Sequence, residues 1–459
     1  MHIHPAIHSD PIAPVILGVT SILAFAVIGR VGARKLGQPT VLGELLMGIL
    51  LGNIAWYLGF DLIAVLREGP RVFDVVHQVL AGRPIEVAAV DIFGPVKGPE
   101  LARIISGPSG GEVISVAQAV DIFSRYGVIF MLFMVGLETN LAEIRSVGRD
   151  SMQVAVIGVV VPLLLGYVAV ELIQPGMALD AVMFVAATLV ATSIGITSAV
   201  LREANHAQTR EGRIILGAAV GDDILGLLIL AIVSGIVVTG SVDVAQIVKV
   251  SMLSLAFLVV TFRLGPYVLK SASTIMRRLD IIEAKMFTSY LFVMVLAWTA
   301  NLVGLATIIG AFAAGIVMHD GYFREHAESK QERVFSVREL IAPLEVILVP
   351  IFFILIGMQV KLESFVSWPV IILAAGLLVA AVLGKLASGL GARGPVDRLT
   401  IGLGMLPRGE VGLVFAAIGQ SLGVIGDSTF AAIVLMVFVT TLVAPPLLKL
   451  RISRQRPAA

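Results

Sequence analysis

Apolar runs about as long as a membrane crossing recur along almost the whole chain, and they constrain its fold more than any other feature. A helix spanning the hydrocarbon core needs roughly 20 mainly apolar residues, and in lipid only a helix or a closed barrel satisfies every backbone N–H and C=O. Such runs lie near residues 12–32, 39–60, 122–141, 152–174, 179–202, 212–239, 245–270, 283–302, 303–319, 340–361, 367–392, 396–421 and 429–449, about thirteen in all. The predicted fold class is an all-α polytopic membrane protein. Composition agrees, since 58% of the 459 residues are hydrophobic and 14% charged, too little polar surface to solvate a soluble domain of this size. With no cysteine and a net charge of +1, the chain has neither thiol chemistry nor a general attraction to nucleic acid. Met1 to Pro11 lacks the cationic start of a cleavable signal, so the first span is expected to be retained.

Basic connections should alternate sides if the span count is right. Arg30, Arg34 and Lys35, then Arg145 and Arg149, then Arg202, Arg210 and Arg213, then Arg277, Arg278 and Lys285 all fall on one side. Arg324, Lys330, Arg333 and Arg338, then Arg393 and Arg398, and finally Lys449, Arg451, Arg454 and Arg456 fall there too. That side is predicted to be cytoplasmic, with the N-terminus outside and the C-terminus inside. The long outer connection, about 61–121, carries Val72, Phe73, Val75, Val76, Val79 and Leu80, the pattern of a short amphipathic helix lying on the outer surface.

An odd span number permits two inverted six-helix halves, 12–239 and 283–449, around a linking helix at 245–270, with a short tail at 450–459. Two internal likenesses fit this. Phe130 to Leu141 (FMLFMVGLETNL) resembles Phe352 to Leu362 (FFILIGMQVKL), and Val41 to Gly52 (VLGELLMGILLG) shares small residues with Leu305 to Gly315 (LATIIGAFAAG). Membrane-protein composition bias is the alternative source of either likeness.

The run Ile215 to Ser234 is apolar except for Asp222 and Asp223. An ionisable group at mid-membrane costs about 2.5–3.5 kcal/mol, so two adjacent ones need partners or water. Helix neighbours point about 100° apart, so one acid can face an aqueous ion site while the other meets a cation. Lys385, inside the apolar run 374–390, is the candidate cation; the alternative is a lysine snorkelling to the interface. Burial and pairing pull oppositely on the protonation of all three groups, and groups in that balance can exchange a proton for a metal cation.

Two further spans carry helix-breaking chemistry. Thr192, Ser193, Thr197 and Ser198 surround Gly195, while Pro407 and Gly409 flank Arg408, with Glu410 following. Discontinuous helices would free carbonyls for cations and leave half-helix dipoles for charges to offset. The plainer readings are hydroxyls bonding their own helix carbonyls and a structural Arg408–Glu410 pair. His2, His4 and His8 fit a solvated tail better than a metal site, and Glu44 and Glu138 sit near span ends as interfacial or packing residues. No phosphate loop, dinucleotide fingerprint or nucleophile–histidine arrangement points to an enzyme.

Taken together, PTVLGELLMGILLGN, FMVGLETNL, GAAVGDDILGLL, FFILIGMQVKL, LGKLASG and LPRGEVGLV resemble motifs of the monovalent cation:proton antiporters, specifically the bacterial Na+/H+ antiporters of family 2, from about Pro39 to the last span. The resemblance implies inverted repeats, a mobile core beside a dimerisation domain, and an elevator-like movement. It places the crossed discontinuous helices at Thr192, Ser193, Thr197 and Pro407, with Arg408 and Glu410 compensating charge. It makes Asp223 the principal Na+ and proton site and pairs Asp222 with Lys385, a possible proton carrier, as in electrogenic members. The expectation is a homodimer in a bacterial inner membrane exporting Na+ or Li+ against protons without a cofactor. K+/H+ exchange, an organic-anion symporter and a cation channel are the alternatives. Two departures stand out: the outer connection is long, and the tail is too short for the nucleotide-binding domain of Kef-type potassium efflux systems, which weighs against ligand-gated potassium transport.

Overall fold

The computed structural model describes residues 10, 12–138, 148–239, 244–276, 279–326 and 335–455. His2, His4 and His8 lie outside the described residues, as do Arg145, Arg277, Arg278, Lys330, Arg333 and Arg456. Among the described residues all regular structure is helical: α1 (Ala13–Lys35), α2 (Thr40–Tyr57), α3 (Asp61–Arg67), α4 (Val72–Leu80), α5 (Ile85–Ser106), α6 (Gly110–Glu138), α7 (Arg149–Ile173), α8 (Leu179–Thr188), α9 (Ile194–Glu203), α10 (Arg210–Thr239), α11 (Val244–Ile275), α12 (Ile281–Leu302), α13 (Thr307–Val317), α14 (Val337–Gln359), α15 (Trp368–Ser388), α16 (Arg398–Gly404), α17 (Glu410–Ser421) and α18 (Asp427–Gln455).

Ten of these helices are long and apolar enough to cross a membrane, and α8, α13 and α17 are shorter apolar pieces. The chain is a multi-pass membrane protein. The thirteen expected spans are thus ten long helices and three interrupted or short ones. At the division near Asn301, α12 stops at Leu302 and Gly304 turns with φ +79°, a left-handed conformation open to glycine at little cost. The 11 residues of α13 reach only about 16 Å at 1.5 Å per residue, short of the expected full span.

The chain forms two compact units. The first holds residues up to Gly127 and Ile347–Leu362. Its core joins Ile22 and Ala26 of α1, Ile63 and Leu66 of α3, Leu101 of α5, Val116 and Val120 of α6, and Ile354 and Met358 of α14. Here two expectations are corrected. The third span begins at Gly110 rather than near 122, because the added turns are amphipathic: Val113, Val116, Ala117 and Val120 are buried while Glu112 and Gln118 are exposed. The helix at 72–80 exists, but Val72 and Val75 are fully buried against protein while Val79 and Leu80 are exposed, so only its C-terminal part presents apolar surface. The connection 61–121 is tied down by polar contacts: Asn53 donates to the carbonyls of Ile49 and Val360 and accepts from Arg67 and the Leu362 amide, and Lys361 lies 2.6 Å from Glu68.

The second unit contains Val128–Val346 and Glu363–Ala459. Its helices approach through small residues. A Cβ on Gly384 would lie 2.7 Å from Pro162 of α7, and one on Gly402 would lie 2.8 Å from the Leu386 backbone. Buried Val154, Ala155, Ile215, Ala218, Ile401 and Leu448 fill the space between α7, α10, α16 and α18.

Candidate cation and proton site

The second unit's α10 presses against α7 at Gly221, where a Cβ would meet that of Ala155 at 3.0 Å. The next two residues are Asp222 and Asp223, with 0% and 4% of their surface exposed. Lys385 of α15 is also fully buried, and its Nζ donates to both carboxylate oxygens of Asp222 at 2.9 and 3.0 Å. A snorkelling lysine would reach an exposed interface; this one ends on an acid inside the unit. Asp223 and Arg408 stand within electrostatic range of Lys385, and Thr192 and Arg408 within range of Asp222.

Two helix breaks cross beside this pair. The first, 189–193, separates α8 from α9, and the second, 405–409, separates α16 from α17. Each break exposes the last carbonyls of one half-helix and the first amides of another. Those carbonyls are met by the opposite strand of chain. Thr192 Oγ1 donates to the Met405 carbonyl at 3.0 Å, Thr197 Oγ1 to the Gly404 carbonyl at 2.9 Å, and the Ser193 amide to the Pro407 carbonyl at 2.8 Å. Arg408, fully buried, donates through Nη1 to the Thr188 and Ala191 carbonyls at 3.3 Å each. A guanidinium there sets positive charge against the negative end of the α8 dipole.

Of the hydroxyls in this region, Thr188 bonds its own helix at the Val185 carbonyl, whereas Thr192 and Thr197 bond across the crossing. Gly409 is required by space, because its Cβ would come within 2.9 Å of Ser193 Cβ. Glu410 opens α17, and its side chain lies outside the described residues.

Thr192, Ser193, Thr197, Pro407 and Arg408 therefore meet at one crossing, with Asp222, Asp223 and Lys385 beside it. Glu44 and Glu138 take other partners. Glu44 is buried against Arg30 Nε at 2.7 Å, and Glu138 pairs with Arg338 on an exposed surface. Sequence reasoning missed Thr441, whose hydroxyl donates to the Arg408 carbonyl, and Gly158, where a Cβ would lie 3.7 Å from Asp222 Oδ1 and 3.8 Å from Lys385 Nζ. The adjacent hydroxyls of Thr440 and Thr441 in a long apolar run, and a glycine four residues before Pro162, were the available signals. No group of three or more His, Asp or Glu side chains is arranged to hold a metal among the described residues.

The chain as a whole is similar to known proteins. The family model described as "sodium/hydrogen exchanger, transmembrane" matches residues 92–450. The high-affinity Na+/H+ antiporter NhaS3 of Synechocystis sp. is 36% identical over 95% of this chain and 90% of its own length. The Na+/H+-K+ antiporter GerN of Bacillus cereus is 34% identical over 77% of this chain and 89% of its own. The sodium proton antiporter MjNhaP1 of Methanocaldococcus jannaschii shares the fold, with a TM-score of 0.62 at 15% identity, covering 96% of this chain and 99% of that one. The chain belongs to the sodium/hydrogen exchanger family, a family of membrane transporters of the monovalent cation:proton antiporter type.

Proposed function

We propose that this protein is an electrogenic Na+/H+ antiporter in which Asp223 carries either a cation or protons and Asp222 holds Lys385. The observation that carries the reading is the fully buried Asp222–Lys385 pair next to Asp223 at a crossing of broken helices. Asp222, Asp223, Lys385 and Arg408 formally sum to zero charge with no ion bound. With Asp223 protonated the four groups carry one positive charge; binding of a sodium ion with loss of the Asp223 and Lys385 protons brings site and ion to zero, so two protons exchange for one sodium and one charge moves per cycle. Release of the Lys385 proton as the cation draws Asp222 away supplies the second proton. Sodium is cargo here, and no resident cofactor enters the cycle.

An elevator-like exchange between two orientations of the core is carried over from the family resemblance, as are the homodimer and the bacterial inner membrane, while the inside position of the C-terminus follows from the placement of the basic connections. Inverted six-helix halves have a further support in packing. Gly48, from the first half's small-residue motif, meets Gly357 of the second half's aromatic motif, with each Cβ position within 3.0 Å of the partner's Cα. In the other unit Gly136, from the first half's aromatic motif, meets Gly315 of the second half's small-residue motif at 2.9 and 2.8 Å. The same two motif types pair twice, each time one from each half, as a two-fold relation between the halves requires.

Asp223→Asn in proteoliposomes is expected to abolish cation-dependent proton movement, read as dequenching of a pH dye. Full retained activity would overturn the assignment. The same assay with Na+, Li+ and K+ under an imposed voltage reads selectivity and charge movement. K+/H+ exchange is the second reading, since GerN, 34% identical, carries K+ in its name.

A further inference from the structure

Arg263 lies inside the apolar span Leu255–Ile275 of α11, and its side chain is exposed there. The helix packs through residues four apart, with Phe257, Thr261, Leu269 and Ser273 buried. On the same seam, a Cβ on Gly265 would lie 2.9 Å from Val317 Cγ1 of α13 and 3.4 Å from Phe292 Cζ of α12. At about 100° per residue, Arg263, Tyr267 and Lys270 fall within about 60° of one another on the far side of the helix. All three are exposed, Tyr267 by 74%. A charge that faces hydrocarbon is unusual, because intramembrane charges nearly always turn to a bundle interior or to a partner. Arg263 and Lys270 have no acid partner among the described residues, and the cations of Val244–Ile275, which are Lys249, Arg263 and Lys270, are accompanied by no acid in that helix. The stripe runs toward the connection that carries Arg277, Arg278 and Lys285, the side that its basic residues predict to be cytoplasmic.

A second feature adjoins the stripe. Leu227 and Ala231 of α10, Leu258 and Phe262 of α11, and Phe312 and Ile316 of α13 line a depression whose wall holds no polar side chain. Its α11 wall ends at the residue before Arg263. Along the helix axis Arg263 is about 10 Å and Leu258 about 18 Å from Lys270, so cations and apolar hollow follow one another as the head and tail of a lipid do. Two long cationic side chains at that separation can converge on one phosphate. We propose that α11 binds an anionic phospholipid, its phosphate held by Arg263 and Lys270 beside the Tyr267 hydroxyl and one acyl chain laid in the depression between α10, α11 and α13. The phosphate supplies the counter-charge that the protein withholds from Arg263, and cationic sites of this kind at the cytoplasmic side recognise acidic headgroups. A zwitterionic headgroup brings its own cation against the stripe and fits less well. An acid from a second copy of the chain would match the arginine but would leave the depression unused.

Native mass spectrometry of the full chain, supplied with equal amounts of dioleoyl phosphatidylglycerol and dioleoyl phosphatidylcholine in detergent, reads the preference. Phosphatidylglycerol should be the lipid retained. Arg263→Ala and Lys270→Ala should each lower its retention about fivefold, and the double variant about thirtyfold, the scale of one cation at an anionic surface. Phe262→Trp places a fluorophore in the depression and reports the chain. Phosphatidylglycerol with brominated acyl chains should quench the added emission more than the brominated phosphatidylcholine does, and Arg263→Ala should remove the excess. Phosphatidylglycerol should also raise the unfolding temperature where inorganic phosphate does not. Equal retention of the two lipids, unchanged retention in the double variant, or equal stabilisation by inorganic phosphate overturns the inference. So does dissociation of a lipid-free dimer by Arg263→Ala, which would assign the arginine's partner to a second copy of the chain.

Discussion

Lys385 Nζ sits 2.9 and 3.0 Å from the two carboxylate oxygens of Asp222, 163 residues away in sequence, and neither side chain has exposed surface. Removing one partner leaves the other charged and buried, at a cost of about 3–5 kcal/mol, whereas removing both costs much less. Asp222→Asn and Lys385→Gln are each expected to lower the thermal unfolding temperature in detergent strongly, and the double variant to recover most of the loss. Single variants as stable as the parent would show that the pair is not held in this form.

The two threonines at the crossing should be unequal to their neighbour. Thr192→Val and Thr197→Val each strip the donor from a half-helix carbonyl on the other segment, an effect of about 1–3 kcal/mol for a buried group. Thr188 bonds only its own helix, where the backbone already supplies the usual partners, so Thr188→Val is expected to cost less. Thermal stability of the three variants, with serine replacements as rescue, measures the difference; equal losses would place the crossing's cohesion elsewhere.

Gly48 and Gly136 stand where any side chain meets main chain, with a Cβ 2.3 Å from the Ile354 and Phe312 carbonyls respectively. A methyl cannot be accommodated without separating the helices, and overpacking of this kind costs about 1–3 kcal/mol or more. Gly48→Val and Gly136→Val should reduce the yield of monodisperse protein and its unfolding temperature, while Gly32→Ala, at a position open on all sides, should leave both within error.

Asp397 lies in the connection before α16, outside the membrane-spanning helices. Burial pushes its carboxyl up, but Arg451, the Thr400 hydroxyl and the Leu399 amide together outweigh that and hold it below the ordinary carboxylate range. A depressed folded value means that the stabilisation is complete above the unfolded value of about 3.9 and is lost as pH falls through the folded one. Asp397→Asn should therefore lower stability at neutral pH and flatten the stability profile below about pH 4. An unchanged difference between the two proteins from pH 7 to pH 3 would contradict this.

The membrane class, most spans and both interruptions were legible in the sequence because each rests on local chemistry: an apolar run of sufficient length, or a cluster of Pro, Gly, Ser and Thr inside one. The start of α6 and the packing of α4 were not, because an amphipathic helix covered by protein and one lying on a surface have the same periodicity. Only the partner of Val72 and Val75 distinguishes them. Glu44 was similarly ambiguous, since a carboxylate near a span end pairs with whatever cation the neighbouring helix brings, here Arg30.

At the site the division is sharper. Sequence alone determined that Asp222 and Asp223 are expensive charges in an apolar helix and that they cannot face the same way, because a helical turn separates neighbours by about 100°. Which acid meets Lys385, and whether that lysine snorkels or stays buried, depended on the packing of α7, α10 and α15. The same holds for the hydroxyls at 192 and 197: their type is local, but the carbonyls they bond belong to residues 213 and 207 positions away. Burial cost is a property of the residue and its span, whereas compensation is a property of what the fold brings beside it.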